Sequence, residues 1–244
     1  MSTAAVAPAP ARRLPRPVQV ARIQTLNVPV QMLMPWAILA LTFVINLVIF
    51  ALVPEPSDGV KITGAIMSIY IFTLVAHLVT MTQIFPFALG LSVTRRDFFV
   101  GNAGYIVVQS LVQGVVLTLL LALERATDGW GQQLNFFGVP FMVTGNWFTQ
   151  WLVYTVPFLL FSFVSVLAGT IFKRFGQTGM WVVSLALLLA GGIAGVLITW
   201  GNAWGAIGRF FADSSSLALF AGYPAILAVL AAALAYLVLR RATP

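Results

Sequence analysis

The sequence VGNAGYIVVQSLVQGVVLTLLLAL, residues 100–123, contains 24 residues and no Asp, Glu, Lys or Arg. At the 1.5 Å rise of an α-helix it would extend about 36 Å, which is enough to cross a hydrocarbon core of about 30 Å. Lipid offers the backbone no hydrogen-bond partner, so a segment of this kind crosses as a helix. We therefore predict a transmembrane helix here.

Segments of the same kind occur six times along the 244-residue chain. They span residues 35–53, 62–85, 100–123, 148–172, 180–200 and 217–239. Hydrophobic residues make up 60% of the chain and charged residues 8%, whereas an ordinary soluble domain has about 25% charged residues. These values predict an all-α integral membrane protein with six transmembrane helices.

The segments that flank the apolar region have a different composition. Residues 1–17 are rich in Ala, Pro and Arg, so we predict a disordered basic tail on the cytoplasmic side. Residues 18–34 place apolar side chains at helical spacing, which predicts an amphipathic helix at the membrane interface. The six-helix transmembrane domain then spans residues 35–241, and residues 242–244 form a C-terminal tail. Because the first apolar segment is long and lacks a small-residue cleavage site, we interpret it as a span and not as a signal peptide.

Charge placement predicts the orientation in the membrane. Ten basic residues, with Asp97 as the single acid among them, lie before the first span, in two alternate connections and after the sixth span. The other connections hold three basic and five acidic residues. The positive-inside rule therefore predicts that both termini are cytoplasmic. The net charge of +7 is explained by this orientation signal, so we expect no nucleic-acid partner, and membrane lipid is the surrounding medium. The strong preference for Arg over Lys favours a bacterial plasma membrane.

The sequence lacks residues that several classes of membrane enzyme and pump require. It contains no Cys and one His, His77, and none of the six apolar segments contains Asp, Glu, Lys or Arg. We therefore expect no catalytic residues and no metal site. No GxxxxGK[ST] sequence is present, which argues against nucleotide binding through a P-loop. We therefore expect that the chain is not an enzyme and that it binds no cofactor.

The connection between the second and third spans carries the most distinctive sequence, LGLSVTRRDFF at residues 89–99. Gly90 can end a helix in the left-handed conformation, and Thr94 can cap the next helix with Asp97 at the third position. Arg95 and Arg96 fall in the first helical turn, where the helix dipole disfavours cations. Two interpretations stay open: a docking element for a partner, or an arginine pair that fixes topology beside the aromatic anchors at 98 and 99.

This connection resembles the segment after the second helix in permeases of exporter-type (type-2) ABC transporters. That segment carries a glycine, a small polar residue, Arg-Arg or Arg-Lys and an aromatic residue. The predicted surface helix, six spans and cytoplasmic termini are also similar to that family. The resemblance implies an ATPase partner that holds the ATP and Mg, and a second permease chain, identical or paired. It also implies a set of ATPase-coupling residues: Gly90, Ser92, Thr94, Arg95, Arg96, Asp97, Phe98 and Phe99, with Lys173 and Arg174 as a lesser contact.

Polar residues recur on single faces of several predicted spans. One interpretation is a polar lining for a substrate path, and the other is hydrogen bonding between packed helices. The candidate lining residues are Asn46, Tyr70, Thr73, His77, Thr80, Gln109, Gln113 and Tyr154.

The sequence thus predicts the membrane-spanning permease subunit of an ATP-driven exporter. A self-contained secondary transporter or channel is one alternative, and it would be expected to show an inverted repeat or a polar site at the membrane midplane. A non-transporting membrane immunity or assembly protein is another.

Overall fold

The computed structural model describes residues 18, 20, 33–52 and 61–240. The predicted tail at 1–17, most of the predicted interfacial helix at 18–34 and the tail at 242–244 lie outside these residues. Within the described residues, five helices are long and apolar enough to cross a membrane. The chain therefore has the architecture of an all-α membrane protein.

The helices follow in simple order along the chain. Their bounds are α1 Met34–Leu52, α2 Met67–Val79, α3 Phe85–Gly90, α4 Arg95–Ala126, α5 Trp147–Trp200, α6 Trp204–Asp213 and α7 Tyr223–Arg240. A π-helical turn at Thr80–Ile84 joins α2 to α3, and another at Ala218–Gly222 leads into α7. Two short strands, β1 Lys61–Ile62 and β2 Leu134–Asn135, pair in parallel.

The 54-residue helix α5 corresponds to two of the predicted apolar segments, 148–172 and 180–200. Its backbone is non-helical at Gly176, where φ is 65° and ψ is −160°. The described residues therefore contain five long helices instead of six separate ones, because these two segments are joined within α5. The connection at 201–216, which the sequence indicates is short, contains the amphipathic helix α6.

The first part of α5 lies at the centre of the bundle and packs against α2, α4 and α7. One buried cluster surrounds Tyr70, Tyr154 and Phe158, and a second surrounds Phe85, Phe98 and Ala235. The part of α5 after Gly176 differs, because nearly all of its apolar side chains are exposed. Such an apolar surface is typical of a face that meets lipid or another chain.

Helix α4 connects the two ends of the bundle. Its 32 residues extend about 48 Å at 1.5 Å per residue. The turn at residues 91–94, which we call the 91–94 turn, precedes α4. Residues 127–146, which we call the cap, follow α4 and lead into α5. The turn and the cap therefore lie at opposite ends of α4.

Candidate functional site

The 91–94 turn is short and tightly hydrogen bonded. The backbone N–H of Ser92 donates to Leu89 O at 3.0 Å, and that of Val93 donates to Ala88 O at 3.2 Å. Thr94 caps α4, since its Oγ1 accepts from the Asp97 N–H at 3.1 Å, as the sequence predicts. The expectation that Gly90 takes the left-handed conformation is wrong, because Ser92 takes it instead, with φ 61°.

The two aromatic residues after the arginine pair form the base of this turn. Phe98 is fully buried and meets the Phe85 ring edge-on, with 4.9 Å between ring centroids. Phe99 is half-buried and lies 5.2 Å from the Tyr236 ring. Both side chains therefore anchor the turn to the bundle instead of adding to its exposed surface.

The exposed side chains around the 91–94 turn are an arginine and two large apolar residues. Arg96 is exposed and Arg95 is half-buried. Phe87 and Leu91 are exposed large apolar side chains, although sequence analysis did not single them out. The signal for them was their position within the aromatic-rich segment just before the arginine pair.

The two lesser coupling candidates lie on another element. Lys173 and Arg174 belong to α5, close to the non-helical Gly176. Both are half-buried, and the Arg174 guanidinium lies 4.7 Å from the centroid of the Phe175 ring.

Several of the candidate lining residues make local or structural hydrogen bonds. Asn46 donates to Thr42 O on its own helix at 2.8 Å. Thr73 and Thr80 donate to carbonyls one turn earlier, Ile69 O and Ala76 O. These three side chains therefore donate to carbonyls within their own helical segments, a local bond that Ser, Thr and Asn side chains commonly make.

Tyr70 and Tyr154 form a relay that ends in the cap. Tyr70 OH donates to Tyr154 O at 3.3 Å, and Tyr154 OH donates to Phe137 O at 2.7 Å. Both rings are fully buried. These two hydrogen bonds therefore link α2 and α5 to the cap.

His77, Gln109 and Gln113 remain from the predicted set, and the structure brings them together with further polar residues. Six buried polar side chains on α2, α4 and α5, which we call the polar seam, are His77, Tyr105, Gln109, Gln113, Thr155 and Ser162. The His77 and Tyr105 rings are 6.4 Å apart, and the Gln109 side chain interacts with His77. Tyr105, Gln109 and Gln113 follow at four-residue spacing on one face of α4.

Most members of the polar seam keep unused hydrogen-bonding atoms. Among the described residues, no partner lies within hydrogen-bonding distance of His77 Nδ1, Tyr105 OH, Gln113 Oε1 and Nε2, Thr155 Oγ1 and Ser162 Oγ. An unsatisfied buried polar group costs about 1–3 kcal/mol. A set of such groups therefore needs a physical explanation, and a bound water or solute is one that the chemistry of these groups allows.

A buried carboxylate that sequence analysis counted only as a loop charge organises the cap. Glu124, at the end of α4, is 2% exposed. Its Oε2 accepts from the backbone N–H of Phe136 at 3.0 Å and of Phe137 at 2.8 Å, and from Trp130 Nε1 at 3.1 Å. Its Oε1 accepts from the Gly138 N–H at 2.7 Å. One side chain thus satisfies four donors of a folded-back loop.

Further contacts hold the cap onto the bundle. The Phe43 ring of α1 meets the Trp130 and Phe136 rings edge-on at 4.8 and 5.1 Å. Gln150 accepts from the Thr144 N–H at 2.8 Å and donates to Met142 O at 3.1 Å. The cap therefore covers one end of the helices with an ordered structure.

The signal for Glu124 was present in the sequence. The loop that follows it is rich in Gly and aromatic residues, so its backbone N–H groups become buried and need acceptors. The acid at the end of the preceding apolar helix was the available acceptor.

Comparisons with known proteins found no relative. No family model matches the chain, and neither a curated protein nor a solved structure matches it. Within residues 33–52 and 61–240, no three His, Cys, Asp or Glu residues are grouped so that they could hold a metal ion.

Proposed function

We propose that the chain is the membrane-spanning permease subunit of an ATP-driven ABC exporter, coupled to a separate ATPase subunit through the 91–94 turn. The observation that supports this proposal most directly is the construction of that turn. The turn exposes Leu91, and the helices on either side of it expose Phe87 and Arg96. Phe98, near the start of α4, is instead fully buried against Phe85. A displacement of the turn would therefore move the bundle, which is what coupling requires.

The charges of the turn favour an acidic partner surface. Arg95 and Arg96 occupy the first turn of α4, where the positive end of the helix dipole disfavours cations. A partner that presents carboxylates would remove this cost. Exposed Phe87 and Leu91 would fill an apolar pocket beside those carboxylates.

We propose six spans with both termini in the bacterial cytoplasm. The 54 residues of α5 are more than twice the roughly 20 that one crossing of a hydrocarbon core needs, and they form two helical parts that meet at Gly176. Gly176 provides the break that a double crossing needs, and Lys173 and Arg174 beside it suit the cytoplasmic side. The exposed apolar part of α5 after Gly176 suits lipid or a second permease chain.

The coupling role is tested by co-purification of the tagged chain from its native membrane. We expect a soluble P-loop ATPase in stoichiometric amount, and its loss when Arg95→Glu and Arg96→Glu are combined. Arg209→Glu is the matched control, because Arg209 is an exposed arginine on α6. Wild-type recovery of the ATPase by the double variant, at equal expression, would contradict the coupling role of the turn.

The topology is tested by cysteine labelling, because the sequence contains no Cys. Four variants carry a single cysteine each, and intact cells that express them are treated with a membrane-impermeant maleimide. The four positions are Ser92, Gln177, Ala126 and Ser215. We expect labelling at Ala126 and Ser215, and labelling at Ser92 and Gln177 only after the membrane is opened. Equal labelling of Ser92 and Ala126 on intact cells would exclude the proposed arrangement.

A self-contained transporter or channel is the second candidate, and the polar seam favours it. Buried polar side chains inside one bundle would suit a path that needs no partner. Solute movement by the purified chain alone in vesicles, without ATP, would establish this candidate. Transport that requires the ATPase and ATP would exclude it.

A further inference from the structure

The polar seam contains several fully buried side chains with unused hydrogen-bonding atoms. His77, Gln113, Thr155 and Ser162 are each 1–2% exposed and come from three different helices. Their unpartnered atoms include both ends of the Gln113 amide. Each of these unpartnered atoms loses its hydrogen bonds to water on burial and gains none from the described residues.

Helix α5 links the two other helices that carry the polar seam. Helices α2 and α4 both pack along α5, and few of their described residues approach each other closely. Ser165 Oγ on α5 donates to Leu74 O on α2 at 2.6 Å, and Trp151 Nε1 on α5 donates to Leu111 O on α4 at 3.2 Å. Helix α5 therefore contacts both of the helices that carry the rest of the seam.

The chemistry of the polar seam is neutral and of mixed polarity. Gln113 offers both a donor and an acceptor, and the Thr155, Ser162 and Tyr105 hydroxyls can serve as either. The six members of the seam include no Asp, Glu, Lys or Arg. An ammonium or carboxylate group would therefore find no opposite charge, and a hydrocarbon group would leave the polar atoms unsatisfied. A hydroxyl group both donates and accepts, which matches the set.

From these observations we infer that the polar seam is a binding site for uncharged hydroxyl groups within a single chain. The hydroxyl groups are supplied by water or by a neutral polyhydroxyl solute. A buried water makes about three hydrogen bonds to otherwise unsatisfied groups, so a few molecules satisfy the seam. The site lies within one chain and does not depend on the ATPase partner, so it is tested apart from the proposed coupling.

The test uses single cysteines in the purified, cysteine-free chain. Cysteines at Gln113 and Ser162 probe the seam, and cysteines at Val112 and Val164 are matched controls that face outward on the same helices. N-ethylmaleimide reacts with the thiolate, which forms only where water reaches the sulfur. We expect the two seam cysteines to react at least tenfold faster than their controls. Ser162→Cys is nearly isosteric, so it keeps the measurement valid if Gln113→Cys disturbs the fold.

A second arm identifies the source of the hydroxyl groups. The reaction is repeated with glucose or myo-inositol, and with sodium chloride at equal osmolality as the control. Slower reaction at the seam cysteines alone assigns the site to a polyhydroxyl solute, whereas an unchanged fast reaction assigns it to water. Seam cysteines that react as slowly as Val112→Cys and Val164→Cys would overturn the inference, because water and solute would then have no access to the seam from outside.

Discussion

The cap and the polar seam are both polar structures in an apolar protein, but they are built differently. Glu124 of α4 satisfies four donors of the cap, and Gln150 of α5 uses both ends of its amide with cap residues. Among the cap residues, Gln132 Oε1 is the single buried side-chain atom recorded without a partner among the described residues. In the polar seam, the equivalent glutamine, Gln113, uses neither end of its amide with the described residues.

This difference separates a structural role from a binding role. A fully satisfied network fixes one conformation, and a buried polar group that loses its partner there is costly. A set of unsatisfied groups keeps hydrogen-bonding capacity for a molecule that is not part of the chain. The cap thus has a structural role at the end of the bundle, whereas the polar seam has the features of a binding site.

The largest effect is expected when the centre of the cap is removed. Glu124→Ala would leave three backbone N–H groups and Trp130 Nε1 without their acceptor. Hydrogen bonds to charged groups contribute about 1.5–3 kcal/mol each, so we expect a loss of at least about 4 kcal/mol in the free energy of unfolding. Thermal unfolding of the detergent-solubilised chain measures this loss.

Two further variants define the origin of that loss. Glu124→Gln keeps the shape but replaces one accepting oxygen with an amide group, so we expect a smaller loss of about 1–3 kcal/mol. Asp213→Ala removes an exposed acid from α6 and should leave the unfolding temperature unchanged. If Glu124→Ala were as stable as Asp213→Ala, Glu124 would not organise the cap.

The next effect concerns the close packing beside the seam. A Cβ added at Gly114 would overlap with Thr155 Oγ1, whereas a Cβ added at Gly104 on the same helix meets no atom within 4 Å. Overpacking typically costs about 1–3 kcal/mol, so we expect Gly114→Ala to destabilise the chain by that amount. Gly104→Ala should be neutral or stabilise it by up to about 1 kcal/mol. Equal unfolding temperatures of the two variants would contradict the close contact between α4 and α5.

The sequence predicted the membrane helices and much of the seam for a physical reason. Long apolar segments without charge are rare outside membranes, and helical spacing puts Gln109 and Gln113 on one face of α4 whatever the rest of the fold does. The hydrogen bond by which Thr94 caps the start of α4 was predicted for a similar reason, because it joins residues only three apart. These features are local, so the sequence is enough to predict them.

The remaining features depend on contacts between distant residues. Thr155 and Ser162 joined the seam because α5 packs beside α4, and periodicity on one helix does not show that. Phe98 is buried because Phe85 lies opposite to it, and no pattern within the 91–94 turn predicts that contact. The role of Glu124 requires the loop to fold back by more than ten residues, which no pattern within one helix predicts.

An intermediate effect compares the same substitution in both regions. Gln150→Met removes an acceptor from the Thr144 N–H and a donor from Met142 O, so we expect a loss of about 1–2 kcal/mol. Gln113→Met removes no hydrogen bond to the described residues and loses only bonds to water in a hydrated seam, so we expect a smaller loss, below about 1 kcal/mol. Urea or thermal unfolding of both variants measures the contrast. A gain of more than about 1.5 kcal/mol from Gln113→Met would indicate a dry seam, because an unsatisfied amide would have been replaced by an apolar group.

The smallest effect compares the backbone of the two regions through one more pair of glutamines. Gln133 in the cap has a left-handed backbone, with φ 54°, whereas Gln83 lies in the helical turn that follows α2. Both side chains are exposed. The left-handed conformation costs an L-residue about 1–2 kcal/mol, and glycine gives back about 0.5–1 kcal/mol through its greater freedom in the unfolded chain. We therefore expect Gln133→Gly to stabilise the chain by about 0.5 kcal/mol and Gln83→Gly to destabilise it by about the same amount. If both variants shifted the unfolding temperature in the same direction, the cap would not hold its backbone in this strained form.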